Sequence, residues 1–529
     1  MAMYYYACRL SAACSARRDS PPPLAHAHHN PNDGSSSIST VATISHQPCS
    51  STATSPQAVD VIVNKAPIGG GCKVEGLHVK PQIKHCSKRY TCNNEERESV
   101  MYREGNLVSG RLEALIQHMV PTADYYPDRA FLFAFLLTSR LFVKPHDLLG
   151  QISANCREHM KVINKEEEPS SHLVRLLAEW SETFPYDFRD ERVMSHVREL
   201  AHRCVSIEEG EIREEISLVL HNLLDKLTKL EQYEAFLHSI NKDAVTDNVD
   251  AVTQTEVSEV CGSAVSLAQQ LTHIELERLS YIGPEEFVQA YINEGNAPSL
   301  GTDFEPRITT NFEVYVGWTN RLSRLVVTDV CRLMKSKRQR VRVLQFWVDT
   351  AKECFTIGNF NSLKAILNGL NSKAVARLKK TWSKLEDREQ LTSLETQMCS
   401  LDDHASYRAL LRAAATRFNK DDSAHCTVIP VFSILTADLH VICKQCQQTL
   451  PNGHINFEKF WQLAKQVTEF ITWKQVHCPF PKAAKVITYL QATPVLNEEA
   501  SLLASYDCES PENPDEADLN LKLTKEGQS

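Results

Sequence analysis

The chain has 529 residues, with 57 Lys and Arg against 66 Asp and Glu, a formal net charge of −9 and 42% hydrophobic residues. That profile belongs to a globular protein of several domains, and its acidic balance excludes a nonspecific nucleic-acid or anionic-membrane binder. Apolar runs such as Phe131 to Leu137 fall far short of the roughly 20 residues that cross a bilayer.

Up to residue 103, Ser, Pro, His and Thr replace periodic apolar residues, as in Pro21-Pro22-Pro23 and Ser35-Ser36-Ser37. Such a stretch buries too little surface to offset its ordering entropy, so 1–103 is expected to be disordered. Gly69-Gly70-Gly71-Cys72-Lys73 lacks the spacing of a phosphate loop. The N-terminus has no basic region followed by an apolar stretch, so it does not read as a secretory signal. The 17 Cys are scattered without regular spacing, so reduced thiols are expected.

From Leu107 the pattern becomes helix after helix. Leu173, Val174, Leu176, Leu177 and Trp180 lay one apolar stripe along a helix, and Val341, Leu344, Val348, Ala351 and Phe355 repeat at 3-4 spacing. Phe457, Phe460, Trp461, Ala464, Val467, Phe470 and Ile471 make a third stripe, with Asn456 placed to cap it and Pro451-Asn452-Gly453 as the turn before. Period-2 alternation is nearly absent, so the fold class is all-α. The polar stretch from Asn241 to Glu256 reads as a linker, 241–258, between helical domains at 104–240 and 259–508. Residues 509–529 hold six acidic and two basic side chains and read as a solvated acidic tail.

Chemical constellations are few. Cys443-x-x-Cys446 with His440 and His454 superficially offers zinc ligands, but the region reads as one amphipathic helix without a second ligand pair, and no metal or other cofactor is expected. The basic cluster Lys335, Lys337, Arg338, Arg340, Arg342 has no interleaved aromatics, so it reads as a solvated helix start or a protein-facing patch rather than a nucleic-acid site. In Arg377-Leu378-Lys379-Lys380-Thr381-Trp382 the Trp reads as a packed helix corner, with a cation–π contact as the alternative. No covalent catalytic motif is present.

Leu267-Ala268-Gln269-Gln270-Leu271-Thr272-His273-Ile274-Glu275, followed by Tyr281-Ile282-Gly283-Pro284-Glu285-Glu286-Phe287, resembles the opening block of the Ras-type guanine nucleotide exchange factor (RasGEF) catalytic domain. Later blocks follow in order: Asn320 to Val326, Cys354 to Leu363, Arg377 to Trp382, Tyr407-Arg408, Ile429 to Phe432 and Ile455-Asn456-Phe457. Upstream, Gly110 to Gln117, Tyr125 to Leu149 and Trp180 to Asp190 are similar to the N-terminal module that accompanies this domain. The strings Tyr125 to Arg129, Phe184 to Arg192 and Gln270 to Arg278 resemble the RasGEF domain-containing family, member 1 group.

The resemblance implies a catalyst without bond chemistry, acting in the cytoplasm on a Ras/Rap-type small GTPase, with transient recruitment to membranes expected through that partner. It implies an exchange hairpin starting at Pro430, with Phe432, Leu435, Leu439 and Ile442 inward and Ser433, Thr436, Ala437, His440 and Lys444 facing the GTPase. It also implies a switch-2 groove of Tyr315, Val316, Thr319, Asn359, Phe360 and Tyr407. Asn359 and Asn361 follow Gly358 where one helix ends and the next needs a cap, so a purely structural role stays open for both. Val431 and Ser433 depart mildly from the family's Phe and Gly. A family Glu near the hairpin tip aligns with Lys444, which leaves a noncatalytic GTPase-binding scaffold as the alternative.

Overall fold

The computed structural model describes residues 99–162, 171–205, 210–240, 245–246, 255–291, 310–332, 336–420, 427–445 and 447–526. The expected disorder over residues 1–98 lies outside the described residues, but its expected end at 103 is corrected. Val100–Arg103 (β1) and Asn106–Gly110 (β2) pair antiparallel. The two residues between them, Glu104 and Gly105, have φ of 53° and 81°, the left-handed pair that a two-residue hairpin turn demands.

Helices Leu112–Met119 (α1), Arg129–Ser139 (α2), Pro145–Val162 (α3), Ser171–Thr183 (α4), Glu191–Val205 (α5) and Gly210–Ile240 (α6) complete the N-terminal module. The stripe from Leu173 to Trp180 is buried as its spacing predicts. At the start of α2, the Asp128 carboxylate accepts from the amides of Ala130 and Phe131, a side-chain cap on an otherwise apolar helix. Arg140 donates to the fully buried Asp187 at 3.0 Å, and Trp180 Nε1 donates to the same carboxylate at 2.9 Å. This charge is buried because it is paired and hydrogen-bonded on several sides.

The second region contains Ala264–Tyr281 (α7), Pro284–Tyr291 (α8), Thr310–Cys331 (α9), Lys337–Ile357 (α10), Phe360–Leu370 (α11), Leu401–Lys420 (α12), Phe432–Gln445 (α13), Phe457–Lys474 (α14), Ala484–Ala492 (α15), Glu498–Cys508 (α16) and Pro514–Glu526 (α17), with short helices between. Along α10 the buried apolar residues are Val343, Leu344, Trp347, Val348, Ala351 and Cys354; Val341 and Phe355, expected in the stripe, sit at its half-buried edge. Asn456 occupies the position preceding α14 without capping it, and its side-chain amide donates to Gln447 O at 3.1 Å. Gly453, at φ 80°, makes the turn before it.

The two hydrophobic cores do not follow the two sequence regions. One joins Leu115, Phe131, Phe135, Leu177 and Trp180 to Phe432, Leu439, Phe457, Phe460 and Phe470. The other joins Leu271, Ile274, Trp318, Leu322, Trp347, Leu363 and Ile366 to Val431 and Ile434. Helix α13 therefore lies on the seam, with neighbouring residues in different cores. Its return helix α14 is held by the N-terminal module: Phe457 stacks on Phe131 at 5.3 Å, Trp461 Nε1 donates to Leu107 O at 3.0 Å, and β2 pairs with Ile455–Asn456 (β3).

Two expectations outside the cores are corrected. Part of the 241–258 linker is tied down, since Val245–Thr246 (β4) pairs parallel with Val495–Leu496 (β5) and Asn497 N donates to Thr246 O at 2.9 Å. The acidic tail is anchored through its charges at Glu509, Glu512 and Glu516, while most of its remaining described residues are exposed. Buried Glu509 accepts from the amides of Lys380 and Thr381 at 3.0 and 2.8 Å and from Thr381 Oγ1 at 2.7 Å. Arg377 reaches Ser505 O, Glu509 O and the Glu516 carboxylate, while Lys379 pairs with Glu512 at 2.7 Å. The basic corner is thus the tail's receptor. Trp382 packs there by donating to Val375 O at 2.9 Å, and the cation–π partner of Arg377 is Tyr506. Arg340, from the cluster expected to be a solvated helix start or a protein-facing patch, is buried beside Thr381 and Cys508.

Candidate functional site

Helix α10 ends at Gly358, whose φ of 90° puts it in the left-handed region; a Cβ there would lie 2.4 Å from Thr427 O. Only Gly permits both the turn and the close approach. The next residue, Asn359, caps α11 by accepting from the Ser362 amide at 3.0 Å, and its Nδ2 donates to Thr272 Oγ1 at 3.1 Å. Phe360 N donates to Ile429 O at 2.9 Å and Ile429 N to Gly358 O at 3.0 Å, which sets the register of the chain entering α13.

A buried polar hub lies beneath. Glu275 of α7 is fully enclosed and accepts from Tyr315 OH, Ser362 Oγ at 2.7 Å, Asn361 Nδ2 at 3.2 Å and Trp318 Nε1 at 3.3 Å. Burial raises its pKa above the usual carboxylate range, and the surrounding donors pull the other way. Asn361 also donates to Thr319 Oγ1 at 3.0 Å, and its Oδ1 accepts from the Phe432 amide at 3.2 Å. Tyr407 OH accepts from Val431 N at 2.8 Å. The first amides of α13, which the helix itself cannot satisfy, are therefore held by two side chains of the neighbouring core.

These contacts correct part of the expected groove. Tyr315, Asn359, Phe360 and Tyr407 are buried, at 2% exposure or less, so they support the surface rather than form it. Val316 is 39% exposed and Thr319 half-buried, leaving these two at the surface. Along α13 the structure places Phe432 and Leu439 inside and Leu435 and Ile442 against the same core. Ser433, Ala437 and Lys444 are exposed, and Thr436 and His440 are half-buried on the same side. Cys446 lies outside the described residues. The carbonyl of Cys443 accepts from the buried Lys459 of α14 at 2.6 Å, a cation at the negative end of α13.

Sequence reasoning assigned no role to Glu275, Arg408, Asp438 or Lys459. For Glu275 a signal existed: it follows Leu267, Leu271 and Ile274 on the apolar face of α7, where a charge needs a buried partner. Arg408 and Asp438 lie far apart in sequence, and no local pattern joins them.

Residues 106–200 match the RasGEF N-terminal motif and residues 266–461 match the RasGEF domain. With the all-helical fold and an N-terminal module packed on α13 and α14, these matches define a RasGEF-type protein, a class whose partner is a small GTPase. The chain is 47% identical over 431 residues to Ras-GEF domain-containing family member 1B of Mus musculus, covering 79% of this chain and 90% of that protein. It is 46% identical over 443 residues to member 1B-A of Danio rerio, covering 81% and 85%. It is 45% identical over 421 residues to member 1C of Homo sapiens, covering 78% and 90%. The chain belongs to the Ras-GEF domain-containing family. No helix among the described residues is long and apolar enough to cross a membrane.

Proposed function

We propose that the chain is an exchange factor that speeds GDP release from, and so GTP loading of, a small GTPase of the Ras/Rap branch, working in cytoplasmic signal transduction. The carrying observation is α13. One edge is locked into the core shared with the N-terminal module, while Ser433, Ala437 and Lys444 stand free on the other. Helix α9, with Val316 and Thr319, packs on the foot of α13 through Tyr315 and Phe432, whose rings lie 4.7 Å apart.

Such a surface works by differential binding. It holds the opened, nucleotide-free GTPase better than the closed form, and each ~1.4 kcal/mol of that difference is worth about tenfold in release rate. In this reading α13, through Ser433, Thr436, Ala437, His440 and Lys444, displaces switch 1, and Val316 and Thr319 engage switch 2. Tyr315, Asn359, Phe360 and Tyr407 keep the surface in shape. No bond is made or broken, and no cofactor takes part.

A second reading, a GTPase-binding scaffold without exchange activity, is favoured by Lys444. This exposed cation stands in the last turn of α13, at the position with which the resemblance aligns the family's acidic hairpin residue. Release of fluorescent GDP from loaded Ras and Rap proteins by the full chain separates the two. Accelerated release is expected; tight capture of nucleotide-free GTPase with no acceleration would establish the scaffold instead.

A further inference from the structure

Two adjacent residues of α12 hold α13 at two heights. Tyr407 takes the Val431 amide at its foot. Arg408 meets Asp438 with two parallel bonds, Nη1 to Oδ2 and Nη2 to Oδ1, both 2.7 Å. Val431 and Asp438 are separated by two helical turns, roughly 10 Å. One attachment leaves a helix free to pivot about it, whereas two at this separation define its direction.

The guanidinium is itself held in place. Asp402, Asp403 and His404 have φ of 49°, 53° and 57°, three successive left-handed residues separated from Tyr407 and Arg408 by Ala405 and Ser406. Non-Gly residues enter that region singly as a rule, so the turn is a specific feature. It folds Asp403 back onto Arg408, whose Nε donates to Asp403 O at 2.8 Å and Nη2 to its carboxylate at 3.3 Å. The planar fork then points at Asp438 in one orientation, which a Lys ammonium cannot reproduce. On α13, Asp438 sits between exposed Ala437 and buried Leu439, on the flank facing α12.

We propose that Arg408 is a positioning residue that, through Asp438, sets the tilt of α13 against the catalytic core. The consequence for nucleotide release rests on the proposed function; the hold on the helix does not. Neither side chain needs to touch the GTPase for the pair to decide where Ala437 and its neighbours meet it.

Hydrogen exchange on the full chain alone reads the hold. In Arg408→Ala, amides of residues 436–445 exchange about tenfold faster while those of 360–370 keep their protection. Arg408→Lys, which keeps the charge and loses the fork, behaves in the same way and guards against a folding defect of the Ala variant. The double variant Arg408→Ala/Asp438→Ala is no worse than either single one. Unchanged protection at 436–445, or single effects that multiply, overturns the proposal.

With fluorescent-GDP-loaded Ras or Rap, Arg408→Ala lowers the maximal release rate about tenfold and leaves the half-maximal chain concentration within about twofold. A change confined to that concentration means that Arg408 binds rather than positions, and also overturns it. If the wild-type chain releases nothing, the proposed function fails, and the hydrogen-exchange comparison still decides whether Arg408 sets the helix.

Discussion

Asn361 and Phe432 lie 71 residues apart in sequence and are joined by a 3.2 Å hydrogen bond from the Phe432 amide to Asn361 Oδ1. The other end of the same amide group donates to Glu275 and Thr319. One side chain therefore links the buried hub, the surface helix α9 and the first turn of α13. Asn361→Ala leaves the Phe432 amide and part of the Glu275 carboxylate unsatisfied, at about 1–3 kcal/mol for each buried group. Lower thermal stability and slower nucleotide release are expected together, and a variant with wild-type melting would show that water replaces the amide.

Ala437 tests the free side of α13. It is exposed and makes no side-chain hydrogen bond, so Ala437→Glu should change stability by no more than about 0.5 kcal/mol. Under the proposed function, nucleotide release from the small GTPase should fall about tenfold or more, because a carboxylate then stands on the face assigned to that partner. Paired measurement of melting and release decides it: loss of fold would place Ala437 in a core, and unaltered release would move the interface elsewhere.

Gly358→Ala combines a left-handed φ with a 2.4 Å approach to Thr427 O. Backbone on both sides must move, which breaks the pairing of Asn359 with Ile429. A loss of about 3 kcal/mol or more is expected, read as a lower denaturation midpoint.

At the junction with the N-terminal module, Glu285 is buried near Arg140, Asp187 and Glu286. Burial is the main cause of a pKa pushed from 4.5 up to about 8, with Arg140 opposing. Between these values the folded chain keeps a proton that the unfolded chain releases. Stability therefore falls as pH rises through that window, by at most about 1.4 kcal/mol per pH unit. Glu285→Gln should flatten this slope and melt higher than wild type above pH 8. Parallel melting curves for the two proteins from pH 5 to 9 would show it; coincident curves would rule the group out.

The docked C-terminal segment is tested at Glu509. Glu509→Ala strands the amides of Lys380 and Thr381 in a buried corner already crowded by Arg340, at about 2 kcal/mol. Faster proteolysis beyond Cys508 should accompany the loss, and an unchanged cleavage rate would mean that Arg377 holds the segment by itself.

What the sequence determined by itself was the part written in short-range pattern. Periodicities of three and four residues specified the helices; the Gly358-Asn359 pair announced a helix end and a cap; and ordered strings from Leu267 to Phe457 carried the family. The inward side of α13 was legible as well, because its apolar residues recur on one face.

Tertiary structure decided which residues stay on the surface. Tyr315, Phe360 and Tyr407 are aromatic residues that pattern alone places equally well in a groove or beneath it, and packing of α9, α11 and α12 against α13 put them beneath. The fate of the acidic segment turned on a basic corner more than a hundred residues away. Likewise, Glu275 and Arg408 acquire roles only when distant helices deliver their partners. Helical periodicity is a property of neighbours in sequence, whereas a buried charge is stabilised by whatever the fold brings within 3 Å, and that proximity exists only once the chain has closed on itself.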